Sequence, residues 1–375
     1  MMKPLPIALA CLTLAACASD PNSGGDTSPD ATDTALPEDA IATGDSTGDT
    51  ADGDASGDAT DSDASEVEDG PWDVDTAVDP DVAVGDPDVL VGSFVLTLVP
   101  PVYDDEGALD TAGTTSIVGR VNDGPTPSLV GYDLADSVAD CALYLPVIPH
   151  CDQLCGGSAA CVAEDVCQAY PKAKSLGTVT VFGVETAAGA NRVTMTAIGG
   201  NYQPGGASLP YPAFAEGDPI AVSTSGGDYA PFAIRSTGIA PLDLVSTDIL
   251  VDRDTPIALA WAPAGDDAAS HIEVKLDISH HGGTKGVIRC TTDDDGALEI
   301  DAALVTQLVD LGVSGLPTIV VARSTVASRT IEPGRVDLVA TSVIERGVVI
   351  PGLVSCNDDG DCPEGQTCQD DLKCE

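Results

Sequence analysis

The chain has 375 residues, with 61 acidic side chains against 15 lysines and arginines, a net charge of −46 with histidine neutral, and only 3% aromatic residues. A surface this acidic repels phosphate backbones, which excludes nucleic acid as a partner. The charge is unevenly spread: Ala18–Asp88 holds 22 acids and no lysine or arginine, leaving 39 acids against 14 bases beyond Asp88.

Residues 1–16 read as a signal peptide. Lys3 supplies the positive start, and the apolar run "PLPIALACLTLAA" is too short to span a bilayer comfortably. The run ends in "LAAC", Leu14 to Cys17, which resembles the lipobox of bacterial lipoproteins. The resemblance implies cleavage before Cys17 and a diacylglycerol on its sulfur. Ala18, rather than an aspartate, follows the cysteine, which resembles the outer-membrane sorting pattern of diderm bacteria. The expected localisation is therefore the outer membrane, with the body on its surface or periplasmic face. The lipid bilayer is then a partner through acylated Cys17, each buried methylene contributing about 0.8 kcal/mol. No further segment reaches transmembrane length.

Residues 17–88 form an acidic linker of Asp, Ala, Thr, Ser and Gly. With so few large apolar residues it cannot offset chain entropy by burial, so disorder is expected. A neutral flexible chain of this length reaches roughly 45 Å, and charge repulsion extends it, so it acts as a spacer. Two motif matches inside it lack their structural context. "GDSTG", Gly44 to Gly48, fits a nucleophile pattern but has no strand before it or helix after it. Asp52 to Asp63 mimics a calcium loop without flanking helices or the bidentate glutamate.

From Val89 the composition turns to Val, Ile, Thr and Gly, beginning with "VLVGSFVLTLV". Short alternating runs follow, among them "GTVTVFGV", "NRVTMTAI", "DPIAVSTS", "PIALAWAP", "HIEVKLDIS", "GVIRCTT", "PTIVVAR" and "RVDLVATSVI". Their spacing predicts an all-β, sandwich-like body, either one large or two small β domains. The expected division is a β region with a cysteine-rich insertion over 89–176, a β-sandwich-like domain over 177–352 and a cysteine-rich module over 353–375. One short helix is predicted in "IDAALVTQLVDLG", with Asp301 as N-cap, Gly312 at C′, and Leu304, Leu308 and Leu311 on one face.

Once Cys11 leaves with the signal and Cys17 is lipidated, ten cysteines remain: Cys141, Cys151, Cys155, Cys161, Cys167, Cys290, Cys356, Cys362, Cys368 and Cys374. An even number in an exported chain implies up to five disulfides. The tail cysteines stand six apart, and the inner cluster repeats that spacing. C-x5-C is not the usual zinc spacing, and the tail has no histidine, so no metal is expected. For the tail we expect first with third and second with fourth, and Cys141 with Cys290 as the remaining pair. The tail resembles small "C-x5-C-P-x-G-x2-C" modules of secreted proteins of myxobacteria and their relatives. Residues 177–344 more loosely resemble a β-rich domain of lipoproteins from that group, on Val179, Val181, Ile220, Val222, Trp261 and Cys290. That family has no assigned activity, so the resemblance transfers no catalytic residue.

In "HIEVKLDIS" the apolar Ile272, Val274, Leu276 and Ile278 alternate with His271, Glu273, Lys275 and Asp277, which describes a half-buried strand. The following "HHGG" is then a hairpin loop needing positive φ at its glycines. His280 and His281 on an extended chain point to opposite sides and cannot share a metal. Tyr202 and Tyr211 flank the loop "NYQPGGASLPY" and either stack on a sugar or pack beneath that loop. No cofactor and no catalytic residue are indicated. The expected function is a non-enzymatic binding or structural lipoprotein of the cell envelope with a protein or glycan partner. The alternative is an envelope hydrolase acting on glycans through paired carboxylates.

Overall fold

A computed structural model describes residues 85–104, 106–265, 269–281, 283 and 285–375. The signal, Cys17, most of the linker and the two motif matches within it lie outside the described residues. Among the described residues no helix is long and apolar enough to cross a membrane.

The body is nearly all β. The first strands are β1 (Asp86–Val99), β2 (Val102–Tyr103), β3 (Leu109–Thr111), β4 (Thr114–Val121), β5 (Gly131–Val138), β6 (Cys141–Val147), β7 (Ala159–Ala163) and β8 (Val166–Ala169). Next come β9 (Val179–Phe182), β10 (Arg192–Met195), β11 (Ala197–Ile198), β12 (Asn201–Tyr202), β13 (Pro219–Thr224) and β14 (Ala233–Thr237). The last elements are β15 (Ile257–Ala260), β16 (His271–Asp277), β17 (Val287–Asp293), β18 (Ala297–Ile300), α1 (Ala302–Asp310), β19 (Thr318–Thr330) and β20 (Gly334–Gly347).

Ten strands make one sheet in the order β11-β12-β4-β1-β20-β19-β16-β17-β6-β5, and a four-stranded sheet has the order β10-β9-β13-β14. The large sheet draws strands from both sides of residue 176, so the two β stretches build one body. Its long central hairpin, β19 and β20, explains how. On one face of β20, Val336, Leu338 and Ala340 belong to a core shared with β1, β4 and the four-stranded sheet. Farther along the same face, Ile344 belongs to a second core with β16, β17, β15, β18 and α1. One sheet thus serves two cores side by side, with Ser342 on β20 and its partner Arg323 on β19 at the boundary.

Local pattern accounts for the pieces. On β1, Phe94, Leu96 and Leu98 are fully buried and alternate with half-exposed residues, as a strand with one packed face requires. The Phe94 ring lies where a Cβ on Gly119 would stand, 2.2 Å from it, so β4 needs glycine opposite that ring. In β16 the buried residues are Ile272, Val274 and Leu276, and it pairs antiparallel with β17. Helix α1 starts where the Asp301 side chain accepts a hydrogen bond from the Ala303 N–H at 2.7 Å. It stops at Gly312, whose φ of +87° suits glycine at C′. The buried stripe is Leu304, Val305, Leu308 and Val309. Leu311 departs from expectation: as the C-cap residue it turns out of the stripe and is 37% exposed.

Candidate functional site

Between the two cores runs a buried polar seam. Asp294, just after β17, is 0% exposed and Arg323 on β19 is 1% exposed. The Arg323 Nε donates to Asp294 Oδ2, and its Nη2 donates to Oδ1 at 2.9 Å. Ser270 Oγ donates to Oδ2 at 2.7 Å and Trp261 Nε1 to Oδ1 at 2.8 Å, which fills the carboxylate's acceptor sites. The guanidinium also donates to the Pro241 carbonyl at 3.0 Å and to the Ala262 carbonyl at 2.6 Å. One residue on, the Leu242 N–H donates to Ser342 Oγ at 2.8 Å. Burial pushes the Asp294 carboxyl upward, but the hydrogen bonds and charge of Arg323, with Ser270 and Trp261, outweigh it and hold the group below its ordinary range. A network this fully paired is a structural device. It pins the backbone of 241–242.

That segment forms one wall of an open groove of about 460 Å³. Pro100, Pro101 and Tyr103, which follow β1, line it together with Tyr211, Asp243 and Arg346. Tyr103 is 59% exposed. Tyr211 lies flat over Gly113: a Cβ there would come within 2.5 Å of the ring, so glycine makes room for it. The Thr115 hydroxyl donates to the Pro210 carbonyl at 2.7 Å and fixes the segment that carries Tyr211. Burial, and then the neighbouring Tyr103, push the Tyr211 hydroxyl above its ordinary range, so at neutral pH it is an uncharged donor. The groove therefore offers two tyrosines, rigid proline surfaces, one acceptor-only carboxylate and one guanidinium.

The structure separates the two tyrosines singled out from sequence. Tyr211 lines the groove, but Tyr202 is fully buried, and its hydroxyl accepts a hydrogen bond from the Leu176 N–H at 2.6 Å. Tyr202 packs in the core beside Phe94 and has no face for a sugar. Trp261 is 3% exposed and belongs to the seam. Tyr103, Asp243 and Arg346 carried no signal in the sequence, because long-range packing brings them to Tyr211.

The histidines are placed differently from expectation. His281 adopts φ +62°, a left-handed turn that swings its ring to within 4.0 Å of the His280 ring, so the two do not point apart. His280 Nε2 lies 4.0 Å from Glu345 Oε1. Gly283 in the same loop has φ +113°. Among the described residues the groups spaced to hold a metal are Cys151, Cys155 and Cys161, and Cys356, Cys362 and Cys374. All six sulfurs are in disulfides.

Cys141 pairs with Cys290, Cys151 with Cys161, Cys155 with Cys167, Cys356 with Cys368, and Cys362 with Cys374. The first joins directly opposed residues of β6 and β17. The next two staple the loop that carries Cys151 and Cys155 to the β7–β8 hairpin. The last two hold the tail, which docks on the body where the Gly315 N–H donates to the Asp371 carbonyl at 2.6 Å and Ser355 Oγ to the Gly315 carbonyl at 2.8 Å.

A further cluster lies on the face of the large sheet opposite the cores. The Arg289 guanidinium sits 4.6 Å from the Tyr132 ring centre and 5.6 Å from that of Tyr144. Among the described residues its buried Nε has no hydrogen-bond acceptor, and the guanidinium instead lies over the two ring faces.

No protein-family model and no curated protein matches this chain. Among solved structures, the FN1–FN3 domains of chicken CNTN1 are similar over 64% of this chain and 80% of that one, at 7% identity and a TM-score of 0.17. A likeness at that score carries no argument about fold or function.

Proposed function

We propose that this protein is a lipid-anchored lipoprotein of the cell envelope whose β body is a non-enzymatic binding module, with the groove between Tyr103 and Tyr211 as its contact surface. The observation that carries the binding reading is the prebuilt groove. Its tyrosine-bearing segment is fixed by Thr115 and its opposite wall by the Arg323–Asp294 seam, so little ordering cost remains for a partner to offset. The "LAAC" sequence at Leu14–Cys17 and the acidic spacer behind it support the anchor. In this reading, acylated Cys17 holds the chain in the outer membrane and the linker presents the groove at a distance from it.

Two measurements test the proposal. Cells grown with labelled palmitate should label the full chain and leave a Cys17→Ser chain unlabelled; equal labelling would rule out anchoring at Cys17. Protease treatment of intact cells then reports the face, loss of the body placing it outside and protection placing it in the periplasm. For the module itself, Tyr103→Ala in the full chain should reduce capture of envelope material without changing the melting temperature. Unchanged capture would remove the groove from the proposal.

A further inference from the structure

We propose that the ligand of this groove is an uncharged carbohydrate; the inference rests on the groove being a binding surface. Three features select that class. First, Tyr103 and Tyr211, beside Pro100 and Pro101, present rigid apolar surfaces on which the C–H face of a sugar ring packs at low entropic cost. Second, the polar groups are complementary in kind. Asp243 only accepts hydrogen bonds, whereas Arg346 and the uncharged Tyr211 hydroxyl donate. Neighbouring sugar hydroxyls both donate and accept, so they satisfy both. A proline-rich segment, the other ligand suited to tyrosines, has few N–H groups for Asp243, because each proline removes one.

Third, the field discriminates. Beyond the linker the chain carries 39 acids against 14 bases, so uronate, sulfate and phosphate polymers are repelled before contact. Among the described residues Arg346 is the one base lining the groove, and it does not offset that surplus of acids. The N–H groups left beyond its bond to the Glu345 carbonyl at 3.3 Å can still donate to a neutral hydroxyl. A neutral polysaccharide meets neither repulsion nor non-specific attraction, and its binding should depend little on salt.

The test uses the full chain in detergent micelles, titrated calorimetrically with a neutral glucan, a neutral mannan, a polyuronate, a protonated amino-glucan and a proline-rich peptide. Expected is binding to a neutral glycan that changes little between low and high salt. Tyr103→Ala and Arg346→Gln should each weaken it about ten-fold, ~1.4 kcal/mol. The 59% exposure of Tyr103 makes its variant safe for folding, which an unchanged melting curve checks. Binding of the peptide alone, lost in Tyr103→Ala, would keep the groove as a binding surface and overturn the carbohydrate assignment. Binding of the amino-glucan alone, lost in the same variant, would overturn the requirement that the sugar be uncharged. Neutral-glycan binding undiminished in both variants would place the site elsewhere. No binding by any probe would overturn the inference and the groove reading together.

Discussion

Asp294 and Arg323 are where single side chains matter most. Because the folded-state pKa of Asp294 is depressed, its contribution to stability is fully present above the unfolded value and is lost as pH falls through the folded one. A melting-temperature series should therefore be insensitive to this group at neutral pH and fall below about pH 4. In Asp294→Asn that acid-side component should disappear. Arg323→Met leaves the carboxylate buried without its cation and should cost about 3–5 kcal/mol in urea unfolding. Tyr202→Phe strands the buried Leu176 N–H and should cost about 1–3 kcal/mol in the same assay. The sequence does not distinguish the seam. Asp294 is the middle of three consecutive aspartates, and only the strand register separates it from Asp293 and Asp295. Tyr202 is equally opaque, since its hydroxyl partner lies 26 residues away.

Elements whose cause is local could be read directly. Helix α1 needed only a cap, a glycine and a stripe of leucines, and the β16–β17 hairpin needed only alternation around a glycine loop. Leu311 went astray because the helix ends one residue before it, at Asp310. Strand β5 gives no such pattern: its burial is mixed, with Asp133 and Asp136 along it, because it forms the sheet's edge. Carboxylates on an edge also discourage pairing with another chain. The disulfides differ by setting. Cys141 and Cys290 are each 2% exposed and close a span of 149 residues, so replacing both with alanine should cost about 2–5 kcal/mol. Cys167, in the stapled hairpin, is exposed. Under a mild reductant with alkylation and peptide mapping, the Cys155–Cys167 bridge should be trapped first and Cys141–Cys290 last. The reverse order would contradict the burial of the β6–β17 bridge.

On the scale of the whole molecule, the sequence announced a β body and the kind of clips on it, but not that one sheet spans two cores. That arrangement depends on β1 pairing in parallel with β20, strands near opposite ends of the body, and such non-local pairing leaves no local trace. The same pairing fixes a line of force. Strand β1 begins at Asp86, so the last three residues read as disordered linker from sequence are in fact strand, and it ends at Val99, immediately before Pro100, Pro101 and Tyr103 of the groove. Under the proposed anchoring at Cys17, a pull on a ligand in the groove would run along the axis of β1. Over Gly92–Leu98 the strand is hydrogen-bonded on both flanks, to β4 and to β20. A load along that axis is borne in shear by many hydrogen bonds at once rather than by peeling them one at a time, so under the proposed anchoring β1 would act as a tendon between groove and anchor.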